Sequence, residues 1–269
     1  MRIKNHLSKM KKKRQPIGSD NVVEISVPDS WESLTGKQFR RVVACLTSGR
    51  SLTSLKMDLF FDFAGMKPLH REGDCFRCKL KGYKGSFLCS PEEIAMAIRA
   101  LDWVEQQPAT PIRPEKLRQC RALDPFLRGE SFETFLTCES YFQGYVSTSD
   151  ENLLDELAAI LYPGLKPGKV RPFDRYFCFL WFSGFKSWLM QKYPDFFIPM
   201  GAGDSDFGDN EPPDMAKVIA VQVRALTKGD VTKNRQVLES EVHDALAELD
   251  ALAAEYRKLK ASEKKCSTL

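Results

Sequence analysis

The sequence predicts a mainly helical α+β protein, and three observations carry this prediction. Apolar residues recur at helical intervals through most of the second half of the chain. Two short segments around a glycine-rich stretch, within residues 75–89, are typical of a small hairpin. A long amphipathic helix closes the chain. The 269 residues, 43% of them hydrophobic and 28% charged, are enough to bury a core and exclude a disordered or collagen-like chain.

Composition and proline positions divide the chain into four parts. Residues 1–20, with seven Lys or Arg and one Asp, are predicted to form a flexible basic arm. An α+β N-terminal part covers residues 21–107, and a helical C-terminal part covers residues 108–262. A proline-rich segment that begins at Pro108 marks the boundary between them. The polar residues 263–269 are expected to fray.

The N-terminal part contains helix starts with clear capping patterns. Thr35 and Gln38 have the spacing of a capping box. Ser90 and Glu93 repeat that spacing, with Pro91 at the first helical position. The predicted elements are, in order, a strand at 22–27, a helix after Thr35, a helix at 51–64, strands at 75–80 and 86–89, and a helix after Ser90.

The C-terminal part contains segments whose apolar residues follow helical spacing. The predicted helices cover residues 131–146, 153–161, 173–192, 214–227 and 234–260. An acidic loop at residues 200–214 precedes the last two helices. Gly229 is the predicted cap between those two helices.

The last helix carries the clearest periodic pattern in the chain. Its apolar residues step by four and three over about three heptads, which is typical of helix pairing. The seam consists of Leu238, Val242, Ala245, Leu249, Leu252, Tyr256 and Leu259. This pattern has two interpretations, packing into its own domain or contact with another helix. We select Leu249, Leu252 and Tyr256 as candidate contacts for self-association or a protein partner.

Outside the basic arm the chain is not basic. The 249 residues after residue 20 hold 33 Lys or Arg and 35 Asp or Glu, which argues against a nucleic-acid footprint over the whole domain. No apolar run approaches the ~18 residues of a membrane span, and no apolar stretch follows the N-terminal charges as in a secretory signal. Eight scattered cysteines in such a chain predict reduced thiols and a cytoplasmic location, with no membrane association.

No pattern in the sequence indicates a catalytic site. The three histidines lack the spacing of a zinc protease, and no Gly-x-Ser-x-Gly turn occurs. Residues 164–170 are one residue short of a phosphate-binding loop. We therefore predict that the chain is not an enzyme and needs no cofactor. Distant residues can form a site without a motif, so an enzyme that uses Asp204, Asp206 and Asp209 with a divalent metal stays open as a third hypothesis.

One group of residues has the chemistry of metal ligands. His70, Cys75, Cys78 and Cys89 are four side chains of the type that hold structural zinc. Against zinc, there is no second Cys-x2-Cys pair, and residues three apart on a strand point to opposite faces. The competing interpretation is an ordinary buried strand face.

Two basic segments are candidates for nucleic-acid contact. The arm contains Lys11, Lys12, Lys13 and Arg14, which suit phosphate contacts and equally suit a solubilising tail. Residues 113–128 hold five basic residues against two acidic ones, a pattern that a solvated helix face also produces.

Three segments carry a resemblance to known proteins. They are residues 27–39 (VPDSWESLTGKQF), the segment from Phe132 to Tyr145, and residues 224–233 (RALTKGDVTK) with 245–252 (ALAELDAL). Together they resemble an uncharacterised family of proteins encoded in phages and prophages of Bacteroidetes. The resemblance covers most of the chain after the basic arm and transfers no catalytic residue. It implies a phage context, such as virion assembly or the tail.

Besides the enzyme hypothesis, two functional hypotheses follow. The first is a non-enzymatic phage or prophage assembly or structural protein that acts through protein–protein contacts, in the bacterial host cytoplasm or in the virion. The alternative is a nucleic-acid-associated protein that uses the basic arm, with a zinc-stabilised hairpin.

Overall fold

The computed structural model describes residues 25–82, 84–197 and 214–266, with side chains described up to residue 262. About 62% of the structure is helix and 10% is strand, with a small antiparallel sheet near the N-terminus and helices toward the C-terminus. The predicted mainly helical α+β class is therefore confirmed. The chain divides into two compact units, Met1–Gln106 and Gln107–Leu269.

The N-terminal unit combines helices with a three-stranded sheet. Its elements are α1 (Gly36–Leu46), α2 (Leu52–Ala64), β1 (Met66–Glu72), β2 (Cys75–Leu80), β3 (Phe87–Cys89) and α3 (Pro91–Arg99). A short 3-10 helix, Asp102–Glu105, follows α3.

Both predicted capping boxes are present. Thr35 Oγ1 accepts a hydrogen bond from Gln38 N at 3.3 Å, and Thr35 N donates to Gln38 Oε1 at 2.9 Å. Ser90 Oγ accepts from Glu93 N at 3.2 Å, and Ser90 N donates to Glu93 Oε2 at 2.9 Å. Each box satisfies backbone donors that the first helical turn leaves free, which sets where α1 and α3 begin.

The sheet is antiparallel in the order β1-β2-β3. The predicted β2–β3 hairpin is confirmed. Strand β1 was missed, because only Met66 of its residues is buried and Pro68 interrupts the pattern. The strand expected at 22–27 is wrong for Ile25–Val27, which form no strand although Ile25 is buried, and residues 22–24 lie outside the described residues.

Two tryptophans close the core of the N-terminal unit. Trp31 and Trp103 are buried, with their rings edge to face at a centroid distance of 5.1 Å. Trp31 Nε1 donates to Gln106 O at 2.8 Å, and Trp103 Nε1 donates to Pro28 O at 3.0 Å. The indole donors thus hold the segment before α1 against the segment after α3.

The C-terminal unit is built mainly from helices. Its elements are β4 (Lys116–Leu117), β5 (Cys120–Arg121), α4 (Phe132–Thr148), α5 (Glu151–Leu161), α6 (Pro172–Lys192), α7 (Pro194–Phe197), α8 (Met215–Thr227), α9 (Asn234–Glu239) and α10 (Val242–Cys266). Helices α4, α5, α6 and α8 confirm the predicted segments. The sequence does not predict the β4–β5 hairpin, because strands of two residues leave no periodic pattern.

Helix α6 is the central helix of this core. Its side chains Phe177, Trp181, Phe182 and Phe185 are all at most 1% exposed. Phe135 of α4 stacks on Phe182 with ring centroids 6.5 Å apart. A helix that is apolar on most sides is typical of a buried position, and α6 has this position.

The predicted single helix at 234–260 is wrong, because it is two helices. Ser240 takes an extended conformation (φ −66°, ψ 158°) between α9 and α10. Phe132 N donates to Ser240 O at 2.8 Å, and Val242 N donates to Glu130 O at 3.0 Å. Backbone hydrogen bonds to a distant segment replace helical ones at this point, so Leu238 is separated from the rest of the seam.

Among the described residues, no helix is both long enough and apolar enough to cross a membrane.

Candidate functional site

The apolar seam of α10 passes from the interior of the C-terminal unit to its surface. Val242 is fully buried and Leu249 is only 4% exposed. Leu252 is half-buried, whereas Tyr256 and Leu259 are 61% and 64% exposed. The first half of the seam therefore packs into its own unit, and the second half faces solvent.

The three candidate partner residues do not share one environment. Leu249 belongs to the core, Leu252 lies at its edge, and Tyr256 is at the surface. Leu259 is exposed on the same seam and was left out of the candidate set. The heptad spacing continues unchanged through all four positions, so sequence spacing alone does not separate them.

Helix α7 attaches the second half of α10 to the unit. Phe196 N donates to Asp250 Oδ1 at 2.8 Å. Farther along α10, Arg257 Nη2 donates to both Asp195 O and Asp195 Oδ1 at 2.5 Å. These bonds hold α10 in place beyond its last buried leucine, so its exposed seam residues are carried on an anchored helix.

His243 lies at the start of α10 in a half-buried group of polar and aromatic side chains. Its Nε2 lies 2.8 Å from Phe126 O, which accepts only, so Nε2 carries the proton. Its Nδ1 lies 3.1 Å from the Tyr193 hydroxyl and 3.5 Å from Lys192 Nζ. Burial lowers the pKa of His243 below its ordinary value. Both ring nitrogens are satisfied inside the protein, so this arrangement ties α6 to α10.

The four residues of the zinc hypothesis do not come together. Cys78 and Cys89 lie on one face of the sheet, because Cys89 pairs with Phe76, which is two residues from Cys78 on the same strand. His70 pairs with Arg77 on the opposite face, and strand alternation puts Cys75 on that face too. Burial, and then the Cys78 thiol, raises the pKa of Cys89 to about 12, which keeps it protonated at neutral pH. Among the residues described, no group of three or more His, Cys, Asp or Glu side chains is arranged to hold a metal ion.

A buried carboxylate between two arginines lies at the start of α6. Asp174 is 1% exposed and accepts from Arg171 Nε at 2.9 Å and from Arg171 Nη2 at 3.1 Å. Arg118 Nε lies 4.0 Å from the same carboxylate. The basic segment at residues 113–128 is therefore not a helix face, because Arg118 forms the turn of the β4–β5 hairpin.

Two predicted sites lie outside the described residues. These are the arm residues Lys11, Lys12, Lys13 and Arg14, and the acidic loop residues Asp204, Asp206 and Asp209. Asp214, at the end of that loop, is described and caps α8 by accepting from Ala216 N at 3.1 Å.

No protein-family model, curated protein or solved structure matches this chain. The candidate sites are therefore supported only by the sequence and geometry of this chain.

Proposed function

We propose that the chain is a non-enzymatic assembly or structural protein of a phage or prophage, and that it acts through protein–protein contacts. The observation that carries the proposal is the apolar seam of α10, which continues past the core and ends with Tyr256 and Leu259 at the surface. Exposed aromatic and aliphatic side chains in register on one helix favour contact with another helix. The three-segment resemblance supports the phage context, in the host cytoplasm or in the virion.

The partner that we propose for this seam is a second copy of the same chain. Charge along α10 is uneven, with the exposed Glu248 and Glu255 preceding the exposed Lys258. Two copies that meet antiparallel near Tyr256 bring Glu255 of one helix toward Lys258 of the other. Charge complementarity of this kind favours antiparallel pairing.

Two charges placed on the exposed seam test the proposal. The double variant Tyr256→Glu and Leu259→Glu would put two carboxylates into the paired seam and would leave the buried side chains of the unit unchanged. We expect native mass spectrometry to show a dimer for the unchanged chain and a monomer for the variant, with the same helical circular dichroism. Leu249 is unsuitable for this test, because a charge there would disrupt the core of the unit.

Val231→Glu is the matched control, since Val231 is 75% exposed and lies outside α10. This control should remain a dimer. A monomeric unchanged chain, or a double variant that still dimerises, would contradict self-association. Mass spectrometry of purified phage particles from a strain that encodes the chain tests the phage context separately, because a virion protein is found in the particles and an assembly factor only in their precursors.

A further inference from the structure

The β4–β5 hairpin places like charges directly opposite each other. Lys116 pairs with Arg121 across the two strands, and both side chains are exposed. Like charges in such a pair destabilise a hairpin. Among the described residues, neither side chain forms an ion pair that would offset this repulsion.

The turn of the same hairpin contains an arginine in a strained conformation. Arg118 has φ 54°, in the left-handed region that favours glycine at this turn position. A residue without a Cβ would form this turn more easily. Strained backbone positions cluster at functional sites, but Leu127, Ser149 and Lys228 also have positive φ in this chain, so the contacts of the Arg118 guanidinium, and not the strain alone, point to a role.

The Arg118 guanidinium lies beside a carboxylate that is already neutralised. Arg171 binds Asp174 through two hydrogen bonds, and Arg118 approaches the same carboxylate from the hairpin side at 4.0 Å. One negative charge is thus shared by two positive ones. Both guanidinium groups keep donors toward solvent, since the Arg118 and Arg171 side chains are 39% and 59% exposed.

Further positive charge surrounds this pair. Lys169 is exposed two residues before Arg171 and makes no ion pair within the described chain. Asp174 lies in the first turn of α6, where the helix dipole adds partial positive charge. Burial lowers the pKa of Arg113, the charges of Tyr162, Asp124 and Glu115 raise it, and the charge of Arg121 lowers it. With the carboxylates of Glu115, Asp124 and Asp174 counted, the five cations Lys116, Arg118, Arg121, Lys169 and Arg171 still leave a surplus of positive charge.

We propose that this basic surface, defined as Lys116, Arg118, Arg121, Lys169 and Arg171, binds the phosphates of a nucleic-acid backbone. Guanidinium groups bind phosphate oxygens through paired hydrogen bonds, and exposed lysines add charge without base specificity. The cations are spread over a hairpin and a helix start and are not gathered around one point. That arrangement suits consecutive phosphates of a polymer better than a single small phosphate ester.

The variant Arg118→Gly tests this inference without a loss of folding. Glycine suits the left-handed turn, so we expect the thermal midpoint to stay the same or rise. Binding of a fluorescein-labelled double-stranded DNA oligonucleotide, measured by anisotropy with the full chain, should weaken about tenfold. The slope of log K against log salt, between about 50 and 200 mM, should become shallower by about 0.9, the value of one lost phosphate contact.

Lys217→Gln serves as the matched control, because it removes a cation that is 81% exposed on α8 and should leave DNA binding unchanged. A chain without residues 1–20 should keep most of its affinity. Two results would overturn the inference: no DNA binding by the unchanged chain, or binding that is lost with residues 1–20 and unaffected by Arg118→Gly. Complete competition by inorganic phosphate at unchanged ionic strength would also overturn it, since that result indicates a site for a small anion.

Discussion

The buried charged side chains of this protein have oppositely charged partners on neighbouring elements. Lys56, 5% exposed on α2, contacts Asp102 and Glu105 beyond α3. Asp155, 6% exposed on α5, accepts from Arg175 of α6 at 2.5 and 3.0 Å. Replacing Arg175 would leave Asp155 as an uncompensated buried charge, at a cost of about 3–5 kcal/mol, whereas Asp102 and Glu105 are 58% and 46% exposed and each cost less to replace. These pairs therefore specify which elements lie side by side.

His243 gives the C-terminal unit a pH dependence whose sign is set by burial. Its pKa in the folded protein is lowered from 6.5 mainly by desolvation, and the nearby Lys192 and Arg128 charges act in the same direction. The hydrogen bond to Phe126 O and the Glu241 charge oppose them. As the pH falls below 6.5, the unfolded chain therefore takes up the proton first, and the free energy of unfolding decreases.

The variant His243→Gln should reduce this decrease. Its amide still donates to Phe126 O, but it does not titrate. We expect urea unfolding between about pH 7 and pH 5 to show a smaller loss of stability in this variant than in the unchanged chain. An identical profile for His243→Gln would show that other groups cause the pH dependence.

At the scale of single elements, the Glu241 side chain caps the start of α10 and also contacts a segment that is distant in the sequence. Glu241 Oε2 accepts from His243 N at 2.6 Å and from Asp244 N at 3.1 Å. Its other carboxylate oxygen, Oε1, accepts from Gly129 N at 3.2 Å, just before α4. One side chain therefore satisfies two free backbone donors of α10 and joins α10 to the segment before α4.

Glu241→Ala should lower the free energy of unfolding by about 1–2 kcal/mol, the usual cost of losing a helix cap. Chemical unfolding followed by circular dichroism measures this difference. Glu156→Ala, at an exposed position on α5, should change the stability by less than about 0.5 kcal/mol. Equal effects of the two substitutions would mean that Glu241 does not act as the cap.

At the scale of the whole molecule, the proline-rich segment belongs to the C-terminal unit. Gly184 of α6 leaves room for it, because a Cβ there would lie 2.8 Å from the Thr110 carbonyl carbon and 3.1 Å from Pro108 Cβ. Tyr162 OH donates to Pro114 O at 2.9 Å in the interior. The prolines therefore form part of the packed unit and do not act as a free linker.

We expect the C-terminal unit to fold on its own and to be less stable when this proline-rich segment is removed. A chain that begins at Gln107 should unfold cooperatively in urea. In a chain that begins at Lys116, the free energy of unfolding should fall by at least about 2 kcal/mol. Tyr162 OH then loses its hydrogen-bond acceptor, and the space beside Gly184 that Pro108 and Thr110 fill becomes empty. Equal stability of the two chains would show that the segment is only a linker.

Features that depend on neighbouring residues could be predicted from the sequence. The capping boxes at Thr35 and Ser90 and the helical spacing of α4, α5, α6 and α8 depend on residues a few positions apart, so these elements could be predicted. Strand β1 could not, because it is an edge strand with exposed side chains. The residues with metal-ligand chemistry were recognised, and alternation along the strand already separated Cys75 from Cys78, but the positions of His70 and Cys89 depended on register between strands.

The sequence by itself determined the mainly helical class, most helix starts and the apolar seam of the last helix. Tertiary structure decided where that helix breaks, where its seam leaves the core, and which charges meet. The physical reason is the distance along the chain between partners: Arg118 and Asp174, or His243 and Phe126, which lie 117 residues apart, interact only after the helices have packed. Such contacts leave no periodic pattern, because they depend on which surfaces are buried together.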